Sequence, residues 1–152
     1  MANKQLKEIL DMAIQVKTDA YEFYSTAANV AKDPSAKELL KGFANIELKH
    51  KEKFENFDLN EVEKEHHTVK ETHDFHIEQY LLDKEITPDS TVQDIMVHVM
   101  KREQKVYAFY DNMLKIATST PVRNLFEELA AEELEHKVKI ETEYDDIFYK
   151  ED

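Results

Sequence analysis

The sequence predicts an all-α protein, a four-helix bundle built from two repeated helical hairpins with a long crossover connection. Three observations predict it. One Gly and three Pro among 152 residues leave few tight turns, which argues against many short strands and for long helices. Apolar residues recur at helical spacing, on a chain that is 41% hydrophobic and 35% charged, as amphipathic helices with one buried stripe require. Finally, the chain repeats itself. KTDAYEFY at 17–24 and EQKVYAFY at 103–110 share Tyr, any residue, Phe, Tyr, and the same offset of 86 residues carries Ala44 to Ala130, Glu47 to Glu133, His50 to His136 and Lys51 to Lys137 without a gap. One domain over 1–152 is expected, with repeat one at about 3–57, a connection at about 58–90 and repeat two at about 91–149.

The first helix carries Ile9, Leu10, Ala13, Ile14, Ala20, Tyr21, Tyr24 and Ala28 on one stripe. Asp33-Pro34-Ser35 punctuates it. Asp33 can cap the next helix with Pro34 at its first position, or Ser35 and Glu38 can form a capping box. The second stripe is Leu39, Leu40, Phe43, Ile46, His50 and Phe54. The connection DLNEVEKEHHTVKETHDFHIEQYLLDKEITPDST is too long for a tight turn and suits a hairpin that must return to stack on another. Within it Phe75, Ile77, Tyr80, Leu81 and Leu82 suggest a short helix or strap. Pro88, with Ser90 and Gln93 spaced as a capping box, is expected to open the third long helix, whose stripe is Met96, Val99, Met100, Val106, Tyr107, Tyr110 and Leu114. Thr120-Pro121 makes the last turn, before Leu125, Phe126, Leu129, Ala130, Leu134 and Ile140. Short hairpin turns make neighbouring helices antiparallel.

Composition narrows function. A net charge of −13 repels phosphate backbones and anionic membrane surfaces, so no nucleic-acid and no membrane partner is expected. The absence of Cys excludes disulfides and thiolate metal centres within this chain. No apolar run approaches the roughly 20 residues of a membrane span, and MANKQLKEIL has no signal-peptide core, so a cytoplasmic location is expected.

The chemistry lies on the apolar stripes. Glu47 and His50 are three apart and share a face with Phe43, Ala44 and Phe54; Glu133 and His136 repeat this among Leu129, Ala130 and Ile140; Glu103 sits among Val99, Met100, Val106, Tyr107 and Tyr110. Buried carboxylates are costly without compensation. Three of them converging with two imidazoles need cations. Paired-metal bundles take a Glu from each of two helices and Glu-x-x-His from each of the other two. This chain supplies both Glu-x-x-His motifs and one of the single Glu residues. A carboxylate and imidazole set suits iron or manganese and tolerates zinc. The alternative is a core that pairs two histidines with glutamates and holds no metal.

On these residues the chain resembles the rubrerythrin-like branch of the ferritin-like superfamily, in the short form without a rubredoxin domain. Ala20 to Tyr24 (Ala-x-x-Phe-Tyr), ANIELKHK, EQKVYAFY and LAAEELEHK carry the resemblance, with KIETEYDD and IEQYLLDKEITPDSTVQDIM in support. It implies a carboxylate-bridged dinuclear site, usually diiron, that reduces peroxide or reacts with dioxygen. It also implies, if the chain is an enzyme, an oxidoreductase of non-haem iron peroxidase or ferroxidase type, and a homodimer, sometimes formed by exchanging helices; having no Cys, such an enzyme would need an external electron donor.

One position departs from the pattern. The resemblance expects Glu where this chain has Lys17, the repeat mate of Glu103. At 3.6 residues per turn Asp19 lies about 200° and Glu22 about 140° away, so neither substitutes. Four core glutamates balance two divalent ions, whereas three glutamates and one ammonium carry a formal charge of −2, which one divalent ion balances. Lys17 is therefore expected to occupy the volume of one ion and empty the position beside His50. Glu103, Glu133 and His136 would keep the other ion, with Glu47 shared between it and Lys17. The competing expectation is that Lys17 snorkels to water and two ions still bind. At the level of function, the alternative to a redox enzyme is a non-catalytic metal-binding or assembly module with a mononuclear or empty site. Iron oxidation for storage is a third class, without any sign of a cage.

The remaining candidates have plainer readings. His66, His67, His73 and His76 read as a surface cluster, His98 as a packed or edge histidine, and the tail ETEYDDIFYKED as a solvated helix end. Tyr21, Tyr24, Tyr107 and Tyr110 read as core packing with a satisfied hydroxyl.

Overall fold

The structure, a computed structural model, describes residues 2–62 and 85–148. The expected strap of Phe75, Ile77, Tyr80, Leu81 and Leu82 and the cluster of His66, His67, His73 and His76 lie outside the described residues. Four long helices and one short one make up the described chain: α1 (Ala2–Val30), α2 (Pro34–Glu55), α3 (Leu59–Val62), α4 (Val92–Ile116) and α5 (Thr120–Phe148). There is no strand among the described residues. The fold is the expected all-α four-helix bundle. No described helix is long and apolar enough to cross a membrane.

Local chemistry sets the helix ends. Asp33 is the N-cap of α2, its carboxylate accepting from the Ser35 N–H at 3.3 Å, with Pro34 at the first helical position. The capping box of α4 is not Ser90 with Gln93 but Thr91 with Asp94, each side chain accepting from the other's backbone N–H at 3.2 Å. Ser90 is buried one residue earlier and accepts from the Thr87 N–H at 2.8 Å. Both pairs have capping-box spacing, and burial of Ser90 decides between them. At the last turn the Ser119 hydroxyl accepts from the Val122 N–H, and Thr120 and Pro121 already belong to α5.

α1 packs chiefly on α2 and α4 on α5, while α1 meets α5 and α2 meets α4 across the two hairpins. The core falls into two apolar clusters. One holds Ala20, Tyr24 and Ala28 of α1, Leu40 and Phe43 of α2, Ile95, Met96 and Met100 of α4, and Ile140 and Tyr144 of α5. The other holds Leu6, Leu10 and Ala13 of α1, Phe54 of α2, Tyr107 and Tyr110 of α4, and Leu125, Phe126, Leu129 and Ala130 of α5. Numbering therefore runs from the second cluster to the first along α1 and α5, and from the first to the second along α2 and α4. The two hairpins are each antiparallel, α1 is parallel to α5, and α2 to α4. Such an arrangement needs a connection that travels the length of the bundle between α2 and α4.

Between the clusters each long helix places polar side chains on its inward stripe. On α1 the buried positions are Leu6, Leu10, Ala13, Lys17, Ala20, Tyr24 and Ala28, so Lys17 sits in the a/d-like series itself. Glu47, Glu103, Glu133 and His136 interrupt the stripes of α2, α4 and α5 at the same level. Ala13, Ala20, Ala44 and Ala130 stand three or four residues from these polar groups and are buried. Their small side chains leave the waist of the bundle to the polar groups.

Candidate metal centre

All five candidate ligands meet at this waist, together with Lys17. α2 supplies Glu47 and His50, one helical turn apart; α5 supplies Glu133 and His136 in the same spacing; α4 supplies Glu103. Two overlapping groups have their ligand atoms within 4.8 Å of one another: Glu47, His50 and His136, and Glu103, Glu133 and His136. His136 Nδ1 lies 3.3 Å from Glu103 Oε2 and 3.9 Å from Glu47 Oε1. The rings of His50 and His136 meet edge to face with centroids 5.3 Å apart. His50 is half-buried, whereas Glu47, Glu103 and Glu133 are each 1% exposed.

Lys17 does not snorkel. It is 2% exposed, and its ammonium donates to Glu133 Oε1 and lies 3.3 Å from Glu47 Oε2. Sequence reasoning expected Glu47 to be shared between Lys17 and an ion. The structure has the ammonium spanning both Glu-x-x-His carboxylates, with Glu133 the closer. The reason is topological: α1 contacts α5 as well as α2, so a long side chain at position 17 reaches across the bundle.

The electrostatics follow from burial and these contacts. Burial alone would push Lys17 toward its neutral form, but Glu133, Glu47 and Glu103 outweigh it and hold the ammonium charged, well above the ordinary lysine range. Burial and the adjacent Glu103 charge raise Glu133 to about 8, against the pull of Lys17. Burial opposes ionisation of Glu103 too, yet its contacts with Glu133, His136 and Lys17 hold it below the usual carboxylate range. His136 goes up: burial disfavours its charge, but Glu103, Glu47 and Glu133 more than compensate. His50 goes down to about 4, through burial first and then the charges of Lys17 and His136. It is neutral at neutral pH. The Lys17 charge thus bears directly on His50, whereas His136 is governed by the three carboxylates.

The donor set fits a metal ion. Glu47 Oε1, Glu133 Oε2, His50 Nδ1 and His136 Nε2 are buried with no hydrogen bond assigned to them, and Glu103 Oε2 and His136 Nδ1 have each other at 3.3 Å. Buried polar atoms are normally satisfied, and here carboxylate oxygens and imidazole nitrogens from three helices share one small volume with few hydrogens between them. The two carboxylates that Lys17 holds each use one oxygen on the ammonium and leave the other free.

Around the cluster, Tyr24 and Tyr110 are fully buried repeat mates. Their hydroxyls find no hydrogen-bond partner among the described residues, unlike the satisfied hydroxyl expected from sequence. Burial raises both above the usual tyrosine range, and for Tyr24 the Glu103 charge adds to it. His98, expected as a packed or edge histidine, is half-buried and stacks on the exposed Phe23 with centroids 5.5 Å apart.

Two features escaped sequence reasoning. Lys137 and Glu141 form a buried pair at 2.6 Å, and Tyr144, also buried, accepts from Gln93 Nε2 at 2.9 Å. Glu141 and Tyr144 belong to the stretch read as a solvated helix end. Their positions one and two turns after Lys137 continue a stripe, which was the available signal.

No curated protein and no solved structure matches this chain. The rubrerythrin family model matches residues 1–58, the whole of the first helical hairpin, including Lys17, Glu47 and His50.

Proposed function

We propose that this chain is a rubrerythrin-like metal-binding protein that holds a single non-haem iron ion and handles peroxide or dioxygen. The observation that carries this reading is the Lys17 ammonium lodged between Glu47 and Glu133 beside free ligand atoms. Glu103, Glu133 and His136 would hold the ion, with the free Glu47 oxygen turned to the same volume. His50 is left without an ion because the Lys17 ammonium takes Glu47 Oε2, the oxygen an ion beside His50 would share. Carboxylate and imidazole donors also accept manganese or zinc.

Iron, when bound, would supply one-electron chemistry at a buried, carboxylate-lined site. The rest belongs to the protein. Lys17 fixes two carboxylates in place. The Tyr24 and Tyr110 hydroxyls stay protonated and offer hydrogen bonds. Neutral His50, half-buried, lines the same volume. Reduction of hydrogen peroxide to two waters consumes two electrons and two protons. A chain with no Cys has no thiolate centre to store those electrons, so an external donor is required. A cytoplasmic homodimer is the form this reading assumes.

The second reading is a non-catalytic ferritin-like module with a mononuclear or empty site. It is favoured by the way Lys17 already offsets part of the buried carboxylate charge. Adding peroxide to iron-loaded protein, with and without a chemical reductant, separates the two. The first reading expects peroxide to disappear over many turnovers only when iron and reductant are both present. No loss beyond that of free iron would leave the non-catalytic module.

A further inference from the structure

Resting on the single-ion reading, we propose that the Lys17 ammonium makes the site select a divalent over a trivalent ion, so that bound iron is held in its ferrous state. The charges facing the waist come from every long helix. α1 contributes Lys17, α2 contributes Glu47 and His50, α4 contributes Glu103, and α5 contributes Glu133 and His136. With both imidazoles neutral as ligands or bystanders, three carboxylates and one ammonium carry −2. A divalent ion closes that count to zero. A trivalent ion leaves one uncompensated positive charge in a volume whose carboxylates are 1% exposed, where an unpaired charge is costly.

Among the described residues the other nearby carboxylates are already paired: Glu132, whose charge reaches His50, holds Lys53. Glu141, the next buried carboxylate on α5, already faces Lys137 at 2.6 Å. The Tyr24 and Tyr110 hydroxyls could compensate only by ionising, and their burial opposes that. Lys17 itself cannot withdraw, since the stripe on either side of it is Ala13 and Ala20 in the closed core. Its charge is therefore a fixed part of the site, felt more strongly by a 3+ ion than by a 2+ ion.

The test is a redox titration of ferrous-loaded wild type and Lys17→Gln, with ferricyanide as electron acceptor and dithionite as donor. Removing the ammonium is expected to shift the ferric-to-ferrous affinity ratio at least tenfold toward ferric, a fall in potential of at least about 59 mV for one electron. Lys17→Met, a second uncharged variant, is expected to do the same, and Lys17→Arg to keep the wild-type value. An unchanged or higher potential in both uncharged variants overturns the proposal while leaving the single-ion reading intact. Failure of wild type to retain ferrous iron overturns both. Wild type also carries a test that needs no variant. After exposure to zinc or to gallium citrate and gel filtration, it is expected to keep one Zn²⁺ per chain and no Ga³⁺. Retention of Ga³⁺ at the same level contradicts the proposal.

Discussion

Lys17 is the residue on which the site turns. It stands where the second repeat has Glu103, adds a positive charge, and ties together two buried carboxylates. Breaking a buried ion pair by deleting one partner costs about 3–5 kcal/mol, because the charge left behind is unsolvated. Metal-free Lys17→Met is therefore expected to lose stability of that order in urea titration; a variant as stable as wild type would show that the ammonium is not what compensates Glu47 and Glu133. The titratable neighbours set a pH profile for the metal-free protein. Glu133, at about 8 in the fold against 4.5 when unfolded, binds more protons folded than unfolded, so its contribution is full below 4.5 and is lost as pH rises through 8. His136 is raised from 6.5 and likewise loses its contribution as pH rises through its folded value. His50, lowered from 6.5 to about 4, acts the other way: stability falls as pH drops from 6.5 toward 4. Metal-free stability should thus peak at roughly pH 5–6.5 and decline toward pH 8. A urea midpoint still rising between pH 6.5 and 8 would contradict this ordering.

Among the elements, helix ends show how far sequence reasoning reaches. Asp33 and Pro34 were legible because cap and proline occupy adjacent positions. The start of α4 was not, since Ser90 with Gln93 and Thr91 with Asp94 have the same spacing, and only burial of Ser90 distinguishes them. Thr91→Ala is expected to cost about 1 kcal/mol, measured by thermal melts; a melting temperature unchanged from wild type would contradict the Thr91–Asp94 box. The stripes on α1, α2, α4 and α5 were readable from period alone, and so were the levels of Glu47, Glu103, Glu133 and His136. The Lys17–Glu47 contact was expected from sequence, whereas the closer contact with Glu133 was not. Its partners depend on α1 lying against α5 as well as α2, a relation between segments 116 residues apart. The buried Lys137–Glu141 pair escaped for a similar reason: i, i+4 charge pairs are commonest on solvated faces, and nothing local marks this one as internal.

For the molecule as a whole, two apolar clusters joined through a polar waist account for both the fold and the site. Because Lys17 already compensates part of the buried charge, the fold should not depend on metal. Chelation is expected to leave the far-ultraviolet circular dichroism of the protein unchanged and to lower its melting temperature only as ligand linkage requires. Collapse of helical signal on chelation would mean that metal, not the ammonium, holds the waist together. Core truncation should matter more: Leu125→Ala, at a fully buried position, is expected to cost about 2–5 kcal/mol.

The number of ions at the waist decides whether Lys17 displaces a metal. Elemental analysis of protein purified from iron-supplemented cells and stripped of loosely bound metal is expected to give one iron per wild-type chain, and more than one for Lys17→Glu. Two ions per wild-type chain would show that a buried ammonium between Glu47 and Glu133 does not exclude the second metal.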